Sequence, residues 1–187
     1  MVEATAGHPI ADRVIEEMKA AGIRWIVTLP DSTTRVLQRI WRSDPFFRVV
    51  GAVHEEEAIS IGCGLSIGGQ LPLVVMENAG LFHCGDALRN LAIDMEIPII
   101  LGTSYLGRPK PNMPPDPPDV VNGDSPFSHI DQQGRLTEPW LRFWGIPSGI
   151  IDAPEGAKLI PWAAETARKR KGPAAILFDV AVGDFKL

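Results

Sequence analysis

Short apolar segments alternate with helical patterns along most of this chain, and that alternation limits the possible folds more than any other feature. The segments rich in aliphatic and β-branched residues, which predict strands, lie at 23–29, 47–53, 71–76, 97–102, 149–151 and 174–179. The segments with apolar residues at helical spacing lie at 9–21, 32–42, 55–68, 84–95, 136–144 and 156–170. Nearly continuous apolar strands joined by helical crossovers are typical of a parallel sheet covered on both faces. The sequence therefore predicts an α/β fold with a six-stranded parallel sheet and helices on both faces.

The size and composition of the chain indicate one globular domain over residues 1–187. A net charge of −5 argues against nucleic acid as a partner, because duplex binding usually needs an excess of Lys and Arg. No apolar stretch approaches the roughly 20 residues of a membrane span. The two cysteines have no redox or metal-ligand spacing and the N-terminus does not resemble a signal peptide, so we expect a cytoplasmic protein.

A proline-rich segment interrupts the alternation after the fourth strand. Seven prolines lie between residues 107 and 126, interspersed with Gly, Asp and Asn. Since proline disrupts helices and central strands, we predict a long loop at about 104–134. Loops of this length are usually lids or binding arms, although an insertion without a role is equally compatible with the composition.

Polar segments follow the first four predicted strands, at 31–32, 54–57, 77–80 and 103–105. In parallel α/β sheets, ligands bind at the carboxyl ends of the strands. Three successive glutamates at 55–57 exceed what capping of a helix requires, so either Glu55 or Glu56 is a candidate functional carboxylate.

Other polar residues are less distinctive. Asp31 and Ser32 are compatible with a plain helix cap and equally with an anion site. His54, His83 and His129 lack helical metal-ligand spacing, so we expect no zinc site. Nucleotide phosphate loops and a G-x-S-x-G elbow are also absent from the sequence.

Four motifs occur in order along the chain: Leu-Pro-Asp-Ser at 29–32, Val-His-Glu-Glu-Glu-Ala at 53–58, Asn-Ala-Gly-Leu at 78–81 and His-Ile-Asp-Gln-Gln-Gly-Arg-Leu-Thr at 129–137. Together they resemble the pyrimidine-binding (PYR) domain of thiamine-diphosphate enzymes. The likeness is greatest to phosphonopyruvate decarboxylase and to the α subunit of sulfopyruvate decarboxylase. It extends over about residues 9–180.

The resemblance implies roles for individual residues. Register with Ala58 and Gly64 matches the family's catalytic carboxylate to Glu55, which in the family bonds N1′ of the aminopyrimidine ring of thiamine diphosphate. The cofactor then serves as the electron sink while a 2-oxo acid loses CO₂. The resemblance further implies cofactor contacts at Glu55, Asn78 and Gly80, and a substrate site formed by Asp31, Ser32, His83 and His129.

The other half of such an active site is missing from the sequence. The family's Gly-Asp-Gly…Asn motif, which holds Mg²⁺ and the diphosphate, has no counterpart in this chain. The resemblance therefore implies a β subunit with a PP domain that carries this motif and Mg²⁺, while this chain holds no metal itself. It also implies that Glu55 lies at a subunit interface, in an α₂β₂ assembly or a multiple of it.

Two departures from the family pattern affect the substrate. Phe82 and His83 stand where the relatives carry Gly and Asn, and the relatives' arginine after the fourth strand is absent, although Arg108 is a candidate substitute. We interpret the chain as the α subunit of a decarboxylase for a small anionic 2-oxo acid such as sulfopyruvate or phosphonopyruvate. A thiamine-dependent carboligase subunit and a non-catalytic α/β binding module are the alternatives, and the bulk of Phe82 is compatible with either reaction.

Overall fold

The computed structural model describes residues 8–110 and 129–179. In chain order, its elements are α1 (Pro9–Ala20), β1 (Trp25–Thr28), α2 (Arg35–Ser43), β2 (Arg48–Gly51), α3 (Glu55–Ile67), β3 (Leu73–Met76), α4 (Asn78–His83), α5 (Gly85–Ala87), a π-helical turn (Leu88–Ile93), β4 (Ile100–Tyr105), α6 (His129–Phe143), β5 (Ser148–Ile151), a 3₁₀ turn (Pro154–Lys158), α7 (Leu159–Arg170) and β6 (Ala174–Asp179).

The six strands form one parallel sheet in the order β2-β1-β3-β4-β6-β5, which confirms the predicted fold class. From β1 the chain first moves outward to β2 and then crosses back to β3 on the other side of β1. Such a reversal opens a crevice at the carboxyl ends of the two strands that diverge, here β1 and β3. The segments that follow β1, β2 and β3 therefore meet around one crevice.

Helices cover both faces of the sheet. Because successive side chains of a strand point to opposite faces, Ile26 packs in a core with α1, α2 and α7, while Val27 packs in a second core with α3, α4 and α6. Both side chains are fully buried. Within residues 8–110 and 129–179, no helix combines the length and the apolar character that a bilayer crossing would require.

The chain after β3 differs from the single helix predicted at 84–95. It forms the short helix α4, then α5, and then a π-helical turn in which Asp94 N–H donates to the Arg89 carbonyl at 2.8 Å. The break between α4 and α5 falls at Cys84, before Gly85 begins α5. The prediction missed α4, which holds the Asn-Ala-Gly-Leu motif at the edge of the crevice.

The predicted loop at 104–134 was also too long at both ends. Residues 103–105 belong to β4 instead of following it, and they pair with β6 as far as Tyr105 and Asp179. Helix α6 starts at His129, inside the predicted loop at 104–134, and continues through Pro139. The prolines on which the loop prediction rests end at residue 126. They therefore gave no reason to include residues 129–134 in the loop. Most of the remaining segment, 111–128, lies outside the described residues.

Gly107 and Gly134 allow the backbone after β4 and the backbone of α6 to approach each other closely. A Cβ atom on Gly134 would overlap the carbonyl group of Gly107, and one on Gly107, whose φ is +74°, would overlap the carbonyl group of Ile130. The segment that leaves β4 therefore crosses the first turns of α6 in backbone contact. This crossing fixes α6 beside the carboxyl end of β4.

Candidate functional site

Glu55 is the first residue of α3 and lies just beyond the carboxyl end of β2. Its side chain is half-buried and lies over Gly80 of α4. A Cβ atom on residue 80 would come within 2.5 Å of Glu55 Cγ and 2.7 Å of Glu55 Cδ, distances that no real side chain tolerates. Glycine at position 80 therefore leaves the space that the Glu55 carboxyl group fills.

The three successive glutamates have different surroundings. Glu57 accepts a hydrogen bond from the Val53 backbone N–H at 2.7 Å, which caps α3. Glu56 is exposed, and its carboxylate lies 4.0 Å from His54 Nδ1. Glu55 turns instead toward α4. The structure thus separates a capping carboxylate, a solvent-facing carboxylate and one directed into the crevice.

Two histidines flank the Glu55 carboxylate. The rings of His54 and His83 are stacked, with centroids 6.4 Å apart and planes inclined by 21°. One side-chain nitrogen from each histidine and one Glu55 oxygen lie within 4.8 Å of one another. His83 had been predicted to be a site residue, whereas His54 had not. Because α4 was not predicted, nothing in the spacing of the two histidines indicated that they would meet.

Asn78 is completely buried and connects three segments. Its side-chain N–H groups donate to the Leu106 carbonyl at 2.9 Å and to Thr137 Oγ1 at 3.0 Å, and its oxygen accepts from Gln133 Nε2. Gln133 and Thr137 belong to the motif at 129–137, so this network explains why that motif accompanies Asn-Ala-Gly-Leu. Both N–H groups of the Asn78 amide are used within the chain, and its contact with the cofactor stays a prediction.

Asp31 uses its whole carboxylate to organise the turn before α2. One oxygen accepts from Thr33 N and Oγ1 at 2.7 and 2.6 Å, and the other accepts from Thr34 N and Oγ1 at 3.2 and 2.8 Å. As a result α2 begins at Arg35 rather than at the predicted residue 32. These hydrogen bonds give Asp31 a structural role in the turn before α2, whose N-cap is Thr34, and the substrate contacts of Asp31 and of the exposed Ser32 stay predictions.

Arg108 lies on the other side of β4 from this crevice. Its guanidinium group donates to Asp179 at 2.6 Å and to Asp152 at 2.8 Å, and the hydrogen bond to Asp179 is the main reason that its pKa is raised. Both partners belong to the end of the sheet that contains β5 and β6. Arg108 is therefore held in an ion-pair cluster and is not available as the substitute anion-binding arginine suggested by the sequence.

The remaining candidate residues are His129 and the two cysteines. His129 begins α6, but its side chain lies outside the described residues, so its contact with substrate stays a prediction. Cys63 and Cys84 are free and buried, and burial raises the pKa of Cys63 to about 11 and that of Cys84 to about 12. Both thiols are therefore protonated at neutral pH and are unsuited to nucleophilic chemistry.

No family model matches this chain. The α subunit of sulfopyruvate decarboxylase from Methanocaldococcus jannaschii is 27% identical over 175 residues, covering 93% of this chain and 95% of that protein. This chain is related in sequence to that α subunit over most of its length. Phosphonopyruvate decarboxylase from Streptomyces viridochromogenes is 28% identical over 139 residues, which is 74% of this chain and 32% of that protein.

Solved structures show the same relationship at the level of the fold. The thiamine diphosphate-dependent 4-hydroxybenzoylformate decarboxylase of Rhodococcus jostii RHA1 superimposes with a TM-score of 0.62 at 19% identity. The match covers 91% of this chain but 30% of that protein, so this chain spans less than a third of its structural relative. The predicted resemblance to sulfopyruvate decarboxylase α subunits and to the fold of thiamine-dependent enzymes is confirmed.

Proposed function

We propose that this chain is the α subunit of a split thiamine-diphosphate-dependent decarboxylase that acts on a small anionic 2-oxo acid, such as sulfopyruvate or phosphonopyruvate. The main support is the position of Glu55. Its carboxyl group is half-buried above Gly80, at the edge of the crevice formed by the segments after β1, β2 and β3. The relationship to a named decarboxylase subunit over most of the chain supports the same function.

The residues around Glu55 fit the pyrimidine end of thiamine diphosphate. When bound, this cofactor supplies an electron sink for loss of CO₂. A carboxyl group at Glu55 is suited to share a proton with the ring nitrogen N1′, and partial burial strengthens such a hydrogen bond. The absence of a side chain at Gly80 provides the room that this arrangement needs. Asn78 acts indirectly by tying α4, which carries Gly80, to α6 and to the end of β4.

The substrate has an anionic carboxylate, and the described part of the crevice offers donors for it. The rings of His54 and His83 stand beside Glu55, and the hydroxyl group of Ser32 is exposed after β1. We assign His83 to substrate binding, together with Ser32, and His129 remains part of this proposal through the resemblance alone. Arg108 does not replace the relatives' arginine, because its guanidinium group is ion-paired with Asp152 and Asp179.

Assembly with a β subunit is part of the proposal. The α-subunit name of the relative supports the existence of a partner. We infer that the partner contributes a PP domain with Gly-Asp-Gly…Asn and Mg²⁺, in an α₂β₂ unit or a multiple. A cytoplasmic location, expected because the two cysteines remain unpaired, belongs to the same proposal.

Carboligation is the alternative that keeps the same cofactor. The Phe82 ring, whose bulk is compatible with either reaction, makes an edge-to-face contact with Trp140, with the centroids 6.1 Å apart. Phe82 is thus part of the packing between α4 and α6, and its bulk does not argue for a different reaction. Decarboxylation is the function that the site and the relatives support best.

Reconstitution tests the proposal. The full chain and a β subunit with the Gly-Asp-Gly…Asn motif are purified separately and together, and CO₂ release from sulfopyruvate and phosphonopyruvate is measured with thiamine diphosphate and Mg²⁺. We expect turnover when both chains are present and none with either chain alone. Full activity of the isolated chain, or inactivity of the assembled pair on every 2-oxo acid offered, would contradict the proposal.

A further inference from the structure

Three metal-ligating side chains meet at a place where the spacing of the histidines predicted no metal. His54, Glu55 and His83 each offer one ligand atom, and these atoms lie within 4.8 Å of one another. We propose that these residues form a binding site for one divalent transition-metal ion, with Zn²⁺ as its characteristic ligand, in the chain that has not yet bound its cofactor. The site would be distinct from the Mg²⁺ site expected on the partner subunit.

The distances are compatible with a metal ion. A point at the centre of a triangle with sides of 4.8 Å is about 2.8 Å from each corner, so the ligand atoms need to move inward by at most about 0.8 Å to reach a zinc–nitrogen bond of about 2.0–2.1 Å. The two histidine rings are stacked and inclined by 21°, and an imidazole binds a metal through the lone pair in its own plane, so the rings have to turn until these lone pairs converge. Both histidines are exposed, which leaves their rings room to turn.

The chemistry of the donors selects the type of ion. Two imidazoles and one carboxylate are a set that binds Zn²⁺ and its neighbours in the first transition series, with further positions open to water. Mg²⁺ instead requires octahedral coordination by oxygen, which one carboxylate does not provide. The exposed carboxylate of Glu56, 4.0 Å from His54 Nδ1, can orient that ring as an outer partner and adds negative charge. Cys84 is fully buried and does not belong to this group of ligand atoms.

The proposed site shares Glu55 with the cofactor. If Glu55 bonds the pyrimidine ring, as the proposed function requires, then the metal ion and thiamine diphosphate cannot occupy it together. Zn²⁺ should therefore inhibit the assembled enzyme, and a higher concentration of thiamine diphosphate should relieve the inhibition. This consequence rests on the proposed function, whereas binding of the metal by the isolated chain does not.

Direct titration of the full, tag-free chain tests the site. Zn²⁺ binding is followed by calorimetry and Co²⁺ binding by visible absorption, in the wild type and in the variants His54→Asn, His83→Asn and His8→Asn. We expect one ion per chain, a Kd at least about tenfold weaker in His54→Asn and in His83→Asn, and no response to Mg²⁺. His8→Asn is the matched control, because His8 caps α1 through a hydrogen bond from Ala11 N–H at 3.3 Å and asparagine serves that role as well.

The outcomes separate this inference from the proposed function. Suppose that the wild type and His83→Asn bind Zn²⁺ with equal affinity and that circular dichroism shows both proteins folded. This result would overturn the metal site, whether or not the assembled enzyme is active. Metal binding that depends on both histidines, combined with full decarboxylase activity of Glu55→Gln in the assembled enzyme, would leave the metal site standing and remove the proposed role of Glu55.

Discussion

The carboxyl group of Glu55 lies directly over the backbone of Gly80, in a space that a side chain at position 80 would fill. The two residues come from segments that follow different strands, β2 and β3, and β1 lies between those strands in the sheet. Their contact spans the crevice at the topological switch point. It links the residue with the proposed chemical role to the helix that positions it.

Replacing Gly80 with alanine should displace the Glu55 carboxyl group without unfolding the chain. The new methyl group would overlap the end of a flexible side chain, which can rotate away, so we expect little loss of stability. Displacing a reacting group by about 1 Å costs roughly 100-fold in rate, and we expect a loss of about 10- to 100-fold in kcat of the reconstituted enzyme. Steady-state kinetics and thermal unfolding measure the two effects.

Gly64→Ala is the matched control for that substitution. Gly64 is exposed in the middle of α3, and a Cβ atom there would meet nothing within 4 Å. Alanine at this position should raise helix stability by about 0.5–1 kcal/mol and leave activity unchanged. Equal activity of Gly80→Ala and wild type would show that the Glu55 position above α4 is unimportant.

Replacing Asn78 with alanine should destabilise the fold. The substitution removes two donated hydrogen bonds and one accepted bond at a completely buried position, leaving the Leu106 carbonyl and the Gln133 amide without this partner. We expect a loss of about 2–4 kcal/mol in the free energy of unfolding, measured with urea. Asn90→Ala, which removes an exposed hydrogen bond to Asp86, should change it by less than about 0.5 kcal/mol. Similar losses in the two variants would argue against the Asn78 network.

The buried thiols predict loss of stability at high pH. Burial raises the pKa of Cys63 to about 11 and that of Cys84 to about 12, compared with 9.0 for an exposed thiol. The unfolded chain therefore loses these protons first, so the stability contributed by the protonated thiols is complete below pH 9 and declines as the pH rises toward 11–12. Each thiol should contribute a slope of up to about 1.4 kcal/mol per pH unit.

Denaturant unfolding of the wild type and of a Cys63→Ala, Cys84→Ala double variant between pH 7 and 10.5 isolates that effect. The cavities left by the substitutions lower the stability of the double variant at every pH. Other groups whose pKa is raised by burial, such as Tyr105, affect the pH dependence of stability equally in both proteins. The difference between the two proteins should therefore shrink above pH 9. A constant difference across the range would show that the thiols titrate normally in the folded chain.

The sheet was predictable from the sequence because its inner strands are buried on both sides and so appear as apolar runs, such as 73–76 and 174–179. Glu55 was identifiable because three successive acidic residues after a strand are unusual and the resemblance fixed the register. The relation of Glu55 to Gly80 was not predictable, since α4 is six residues long and has too few turns to show helical periodicity.

Other features depended on contacts between distant segments. The engagement of Asn78 by Gln133 and Thr137 arises from packing of α4 against α6, which no local pattern reports. The structural role of Asp31 in the turn before α2 depends on four donors from Thr33 and Thr34, which the sequence did not identify as its partners. The His54–His83 pair likewise depends on the tertiary fold.

The most direct test of the account is the rate of decarboxylation by the reconstituted enzyme when Glu55 is replaced by glutamine, compared with Glu56→Gln. Both substitutions remove one charge from adjacent positions, but Glu55 faces Gly80 and Glu56 faces solvent. We predict that Glu55→Gln lowers kcat by about 100-fold or more while Glu56→Gln retains wild-type activity. Wild-type turnover in Glu55→Gln, or an equal loss in both variants, would contradict the assignment of Glu55 as the catalytic carboxylate.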